Sequence, residues 1–288
     1  MKKGFLFISL FYLTVLFSNC FAQDESDERK GFRFGLNMGM YFPSKVSANY
    51  YNGSGFYDNN IDPNGVRMYS IEERLDPSIF IQDAAYLNSY FGSSSYSFPY
   101  DAYPTAMRYS GAFNIGLQTA FDFNNTSSLI FDLNVCKVKS YDRFTMQFVG
   151  TAAQQNAQSD KKIFNIEGNE QRFNLALGYR TGWELSANGL YFIQFGGSML
   201  GTKVVSNIVH IADRNYDLII GAANPSQTIS YRPQTGIGFG YYISSGFFLP
   251  LGKNKNAELS MSFSKDKMIL NFNEFKGWNK ILNFCFSI

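Results

Sequence analysis

Histidine, cysteine and tryptophan are scarce in this sequence: one His, three Cys and two Trp in 288 residues. A lone imidazole, His210, rules out the His-rich ligand sets that hold transition metals. It also leaves a single candidate base for nucleophilic chemistry, with Asp213 and Asp217 as its nearest acidic neighbours in sequence. A large excess of either charge sign is missing as well. A net charge of +2, with no cluster of Lys and Arg among aromatics, gives no footprint for nucleic acid. Long apolar runs are absent beyond residue 22, so no stretch approaches the roughly 20 residues of a membrane-spanning helix. If such a chain crosses a bilayer, a closed barrel is the only route, because in lipid every backbone polar group needs an internal partner.

What is abundant is aromatic: 30 Phe and 19 Tyr, at a mean hydropathy of only −0.17. That mixture fits alternating strands. Residues 1–22 read as a secretory signal, with Lys2 and Lys3 at the start, an apolar run over 5–17, and Cys20-Phe21-Ala22 before a mature terminus at Gln23. A lipoprotein signal cleaved before Cys20 is the rival, and Asn19 fits it poorly. Residues 23–30, QDESDERK, form a charged periplasmic tail. Cys136 and Cys285 survive processing. They fall at different heights of their strands, which argues against a disulfide.

Residues 31–43, GFRFGLNMGMYFP, set the pattern. Phe32, Phe34, Leu36, Met38, Met40 and Phe42 share one face, and Arg33, Gly35, Asn37, Gly39 and Tyr41 the other. The same alternation returns over 111–124, 129–141, 170–182, 190–202, 234–249, 259–264 and 279–288. Asn124-Asn125-Thr126-Ser127-Ser128 and Ser186-Ala187-Asn188-Gly189 are tight-turn signals. Between the other strands lie loops at about 44–107, 150–165, 203–231 and 267–278. Long connections thus alternate with short turns, as in outer-membrane barrels, where long loops face outward and both termini lie in the periplasm. The expected fold is all-β, an eight-stranded antiparallel up-and-down transmembrane barrel over 31–288. Ten strands result if the third excursion pairs with itself; there, 204–211 and 218–220 are apolar enough to lengthen the walls. A short helix is expected in the first loop, where Ile71, Leu75, Ile79, Phe80, Ala84 and Leu87 recur at helical spacing. Asp76 would cap its restart, with Pro77 in the first turn.

The signal ending Phe21-Ala22-Gln23, the opening GFRFGLNMGM and a last strand carrying Leu282, Phe284, Phe286 and Ile288 resemble the small outer-membrane barrels of the Bacteroidota, the PorT-like group. More loosely they resemble OmpX and OmpA-type barrels. The resemblance implies an outer-membrane location and a terminal strand read by the barrel-assembly machinery, although the last residue here is Ile288 and not an aromatic. It implies roles in secretion, binding or adhesion, none assignable to particular residues.

Two residue sets stand out. Inward charges of both signs, Arg33, Asp122, Asp132, Glu170, Arg172 and Arg180, fall in a lumen that eight strands make barely wide enough for side chains. Ion pairs that plug it follow, with a narrow gated ion path as the alternative. The first loop carries Tyr50, Tyr51, Tyr57, Tyr69, Tyr86, Tyr90, Tyr96, Tyr100 and Tyr103, together with Phe56, Phe91 and Phe98. Such tyrosines form a recognition surface or else pack on one another as a cap. Asp58, Asp62, Asn64 and Gly65 only faintly resemble a calcium loop, and their spacing does not match it. The expected function is therefore non-enzymatic and without cofactor. Its loops would bind a partner protein or a surface glycan within an outer-membrane assembly such as secretion machinery. A narrow pore is the second possibility and a lipid-modifying enzyme built on His210 the third.

Overall fold

The computed structural model describes residues 30–55, 68–76, 78, 81–91, 95–99, 101–149, 160–185, 189–219, 234–252, 255–270 and 273–288. The signal segment, Tyr57, Tyr100 and the weak calcium-loop match at 58–65 lie outside them. In chain order the strands are β1 (Gly31–Phe42), β2 (Ser95–Ser97), β3 (Arg108–Tyr109), β4 (Ala112–Asp122), β5 (Ser127–Val149), β6 (Asp160–Glu184), β7 (Leu190–Ile211), β8 (Arg214–Asp217), β9 (Thr235–Gly252), β10 (Lys255–Leu270) and β11 (Asn273–Ser287). A 3-10 helix (Lys45–Tyr51) and two α-helices, α1 (Ile71–Arg74) and α2 (Ile81–Phe91), occupy the first long connection.

Period-two alternation puts each long strand in one register, and the registers close a ring β1-β4-β5-β6-β7-β9-β10-β11. Closure falls between first and last strands, with Gly35 opposite Ser287 and Phe42 opposite Lys280. Phe34 and Ile288 exchange backbone hydrogen bonds of 3.0 and 2.8 Å at the seam. The ring leaves no open edge to satisfy. The strand count is eight, because β8 pairs with β7 alone among the described residues and stays outside the ring. Gly31 and Ile288 lie at the same end as the adjoining ends of β4 and β5, of β6 and β7, and of β9 and β10. At the Asn124 turn, Asn124 Oδ1 accepts from the Thr126 backbone at 2.9 Å, the local bond that turn composition favours.

Apolar side chains point outward around the lower barrel. Phe34 is 63% exposed and Leu117 55%, whereas Asn37, Gln118 and Asn134 are buried inside. A surface of that kind is stable only against hydrocarbon. In β5 it ends at Lys137. Above that residue the odd positions, Lys139, Tyr141 and Arg143, still point out, and the even ones, Phe144, Met146 and Phe148, are buried. The strand keeps its parity and reverses its polarity. β6 does the same above Gln171. In β7 a bulge opposite Asn169 and Glu170 skips Val205, which shifts parity so that Val209 and Ile211 turn inward.

These extensions make β5, β6 and β7 of 23, 25 and 22 residues. Twenty-three residues run roughly 75 Å along the strand, about twice a tilted membrane crossing. The expected loops are therefore partly wall. Residues 160–165 belong to β6, 203–211 to β7, and the loop expected at 267–278 is almost wholly hairpin, with Leu270 opposite Asn273. Its outward face carries Lys267, Glu274 and Lys276 beside Ile269 and Trp278, and both lysines pair with Glu274, at 2.7 and 2.6 Å. Charge there marks a wall in water, where the pattern suggested a loop. Helix formation also differs in detail. Ser70 caps α1 through a capping box with Glu73, while Asp76 accepts from Ser78 at 2.8 Å in an Asx turn. Among the described residues helix resumes at Ile81; Pro77 lies outside them.

The two exteriors respond oppositely to charge. Leu117→Arg, at the middle of the apolar belt, is expected to cost about 2–4 kcal/mol, while Tyr141→Arg on the upper wall changes stability by under about 0.5 kcal/mol. Reversible urea unfolding in phospholipid vesicles measures both.

Candidate functional site

Sequence-distant charges meet in the lumen because strand registers bring them there. Gly31 faces Asp122 and Arg33 faces Ala120, so Arg33 sits diagonal to Asp122 and holds it through Nε at 2.9 Å and a terminal nitrogen at 3.0 Å. Ser128 donates to the same carboxylate, and the Phe248 ring lies 4.6 Å from the guanidinium. Arg180, among the largest fully buried side chains, donates to Glu258 at 2.9 Å and Gln194 at 3.0 Å and stacks on Phe192 at 3.9 Å. Near the loop end, Arg172 donates to Glu170 at 2.6 Å, Tyr41 at 2.9 Å, Ser47 at 3.0 Å and Tyr109 at 3.1 Å. Tyr51 donates to Glu170 at 2.7 Å. This layer ties β1, β3, β6 and the 3-10 helix together, so it is where lumen and loop are joined.

Five of the six expected lumen charges form pairs. The sixth, Asp132, contacts no guanidinium: its bonds come from Asn37 at 3.0 Å, Gln118 at 3.1 Å and Gln194 at 3.5 Å. Arg180, which shares Gln194 with it, is committed to Glu258. Two buried carboxylates escaped notice, Glu258 and Asp266. Asp266 accepts from Ser198 at 2.6 Å, Ser264 at 2.7 Å and Asn279 at 2.8 Å. The signal was present: Ser260, Ser262 and Ser264 already mark the inward face of β10, and one step further along it in either direction reaches Glu258 and Asp266. Cys136 and Cys285 are free thiols, and Cys285 donates to Gln118 at 3.6 Å. The cavities left between these side chains are about 10 and 20 Å³, room for a single water at most.

Above the lumen the loop folds as a soluble core does. Tyr50, Tyr51, Met68, Ile71, Leu75, Leu87, Phe144, Ile166, Val209 and Ile211 form one buried cluster. Tyr50 and Tyr51 are fully buried, which corrects their assignment to a binding surface. Tyr51 lies over Gly168, where any side chain would meet its ring at 2.2 Å. Tyr69, Tyr96 and Tyr103 are half-buried. Burial pushes the Tyr96 and Tyr103 hydroxyls up to about 12, and Tyr96 donates to the Leu75 carbonyl.

Of the seven candidate tyrosines among the described residues, only Tyr90 is an exposed large aromatic, at 57%. It stacks on Tyr86 at 6.0 Å, and the Arg214 guanidinium lies 3.6 Å from the Tyr86 ring. Behind them Phe91 packs on Phe148 at 4.1 Å, and Arg74 holds Asp83 of α2 at 2.6 Å. The cluster is thus an outward patch on a braced helix. Arg214, invisible as a candidate in sequence, arrives through the β7–β8 hairpin.

His210 ends a wall strand and is not a loop residue. Its Nδ1 meets Asn215 Oδ1 at 2.7 Å and its Nε2 lies 3.4 Å from Glu167. Neither aspartate of the sequence-based pairing bonds it: Asp213 accepts from Tyr86, and Asp217 from the Ile219 backbone. Burial alone would raise the Glu167 carboxyl, yet the Lys139 ammonium beside it holds it below its ordinary value. No serine or threonine bonds this histidine, so the nucleophile–base pair of an acyl transferase is not assembled among the described residues.

No protein-family model matches the sequence, and no curated protein matches it. Among solved structures the chain is similar to Neisserial surface protein A, at 7% identity and a TM-score of 0.41 over 91% of this chain and 99% of that one. It is similar to the outer membrane protein OprG from Pseudomonas aeruginosa, at 8% and 0.40 over 91% and 98%. A third is Ail, the attachment invasion locus protein of Yersinia pestis, in complex with the heparin analogue sucrose octasulfate, at 8% and 0.32 over 90% and 99%.

Removing one partner of a buried pair strands the other charge. Arg180→Met is expected to destabilise the barrel by about 3–5 kcal/mol, and adding Glu258→Met recovers most of that loss. Urea titration of the three chains refolded into vesicles measures the recovery.

Proposed function

We propose that the protein is a non-enzymatic outer-membrane barrel, plugged in its lumen, whose loop end binds a macromolecular partner through the Tyr86–Tyr90–Arg214 patch. The single observation that carries this reading is an exposed Tyr90 stacked on a half-buried Tyr86 of α2, with Arg214 of β8 laid over the Tyr86 ring. Preorganised Tyr and Arg groups are what protein-binding hot spots use, so another protein of the outer membrane is the favoured partner and a surface glycan the second. An assembly of the kind secretion machinery forms suits a small barrel whose lumen carries nothing. The alternation of GFRFGLNMGM and the last strand supports membership of the PorT-like kind. With the loop end outside, both chain ends lie in the periplasm, next to the proposed signal cleavage after Ala22.

The lumen supports a plug over a narrow pore. Three guanidinium groups and five carboxylates fill it with bonds to one another and to amides and hydroxyls, and the loop core closes the end above Arg172.

Two measurements test these statements. In gentle detergent, the native chain is expected to retain a stoichiometric partner that Tyr90→Ala with Arg214→Ala loses at least tenfold, while the variant keeps its folded mobility on gels. Recovery of the native chain alone, or equal recovery of partner with the variant, contradicts the reading. In planar bilayers the reconstituted chain is expected to be silent; stable unitary conductance supports the pore instead.

A further inference from the structure

The inward charges do not balance. Among the described residues the lumen holds Arg33, Arg172 and Arg180 against Asp122, Asp132, Glu170, Glu258 and Asp266. The three guanidiniums serve Asp122, Glu170 and Glu258. Asp266 has both oxygens met by short neutral donors, Ser198 on one and Ser264 and Asn279 on the other. Asp132 is the poorly served one. Its Oδ1 takes both good amide bonds, and its Oδ2 has only the 3.5 Å contact from Gln194.

Beside Asp132 lies the 20 Å³ cavity, also lined by Asn174, Ser198, Tyr242, Ser264 and Asn283. Its walls are rich in unspent lone pairs. Ser198 and Ser264 give their only protons to Asp266, which leaves their oxygens free to accept. Asn174, 8% exposed, has an Oδ1 with no hydrogen-bond partner. An unpartnered acceptor and an under-served carboxylate on one small cavity call for positive charge there, since each is costly when left alone in a buried place.

We propose that this cavity binds one small monovalent cation, sodium-sized, held by Asp132 and the neutral oxygens of Asn174, Ser198 and Ser264. Hard cations take oxygen ligands of this kind, and a divalent ion prefers more carboxylates than the one that lines the space. The site counterbalances the acidic excess of the plug and makes the barrel's stability depend on the cation. It needs no ion flow and stands whether or not the loop end binds a partner.

The test uses the full chain folded in detergent. The temperature at which the compact gel band is lost is expected to rise with sodium chloride and not with choline chloride at equal ionic strength. Asp132→Asn is expected to abolish the difference. If that variant does not fold, Asn174→Asp serves in its place, lowering the sodium concentration for half effect at least tenfold. Crystals soaked in thallium(I) are expected to show an anomalous peak between Asp132 and Asn174. Identical behaviour in sodium and choline, with no thallium peak, overturns the proposal and leaves Asp132 protonated.

Discussion

Everything in this molecule depends on one constraint: a closed ladder of backbone hydrogen bonds whose outer surface meets two different solvents. The ring satisfies the backbone without edges, so the same strands can leave hydrocarbon and continue into water. At Lys137, Gln171 and Lys203 the unbroken apolar exterior ends and becomes largely polar. The interior changes in the opposite sense, from the asparagines and ion pairs of the lumen to Phe144, Ile166 and Val209. Below the line the hydrophobic effect acts outside the ring, and above it inside. One pleated ladder thus serves as a membrane wall and as the shell of a water-soluble core.

The two interiors are joined at Glu170 and Arg172. The guanidinium reaches Tyr41 on β1 and Tyr109 on β3, and the carboxylate receives Tyr51 from the loop. Loop and barrel therefore fold against each other, and the long first connection owes its order to that anchor as much as to its own apolar residues. The helix carrying Tyr86 and Tyr90 has its own braces, Phe91 on Phe148 and Arg74 on Asp83.

Much of the barrel was legible in the sequence, for a simple reason. In lipid the outward face must be apolar at every second residue, so Phe34, Leu117 and Phe284 announced their side; the count stayed between eight and ten until β8 was seen to pair with β7 outside the ring. The upper wall was hidden because its polarity is reversed: Lys267, Glu274 and Lys276 look like loop residues until Met268 and Leu270 are seen beneath them. Lumen pairing was legible in kind, not in partner. Arg33 with Asp122 and Gln118 with Asp132 follow from adjacent strands, whereas Arg180 with Glu258 and the Asn37 and Gln194 amides on Asp132 depend on contacts between non-adjacent strands that alternation does not encode. Tyr50 and Tyr90 carry the same side chain in one loop, and only the cap's packing separates the buried one from the exposed one.

Cysteine scanning along β5 of the Cys136→Ala, Cys285→Ala chain, with a fluorophore and both lipid-borne and aqueous quenchers, tests the reversal most directly. At Phe131→Cys and Leu133→Cys only the lipid quencher is expected to act, and at Lys139→Cys and Arg143→Cys only the aqueous one. The label at Met146→Cys should escape both. Lipid quenching that continues through 143, or aqueous access at 131, would contradict the account.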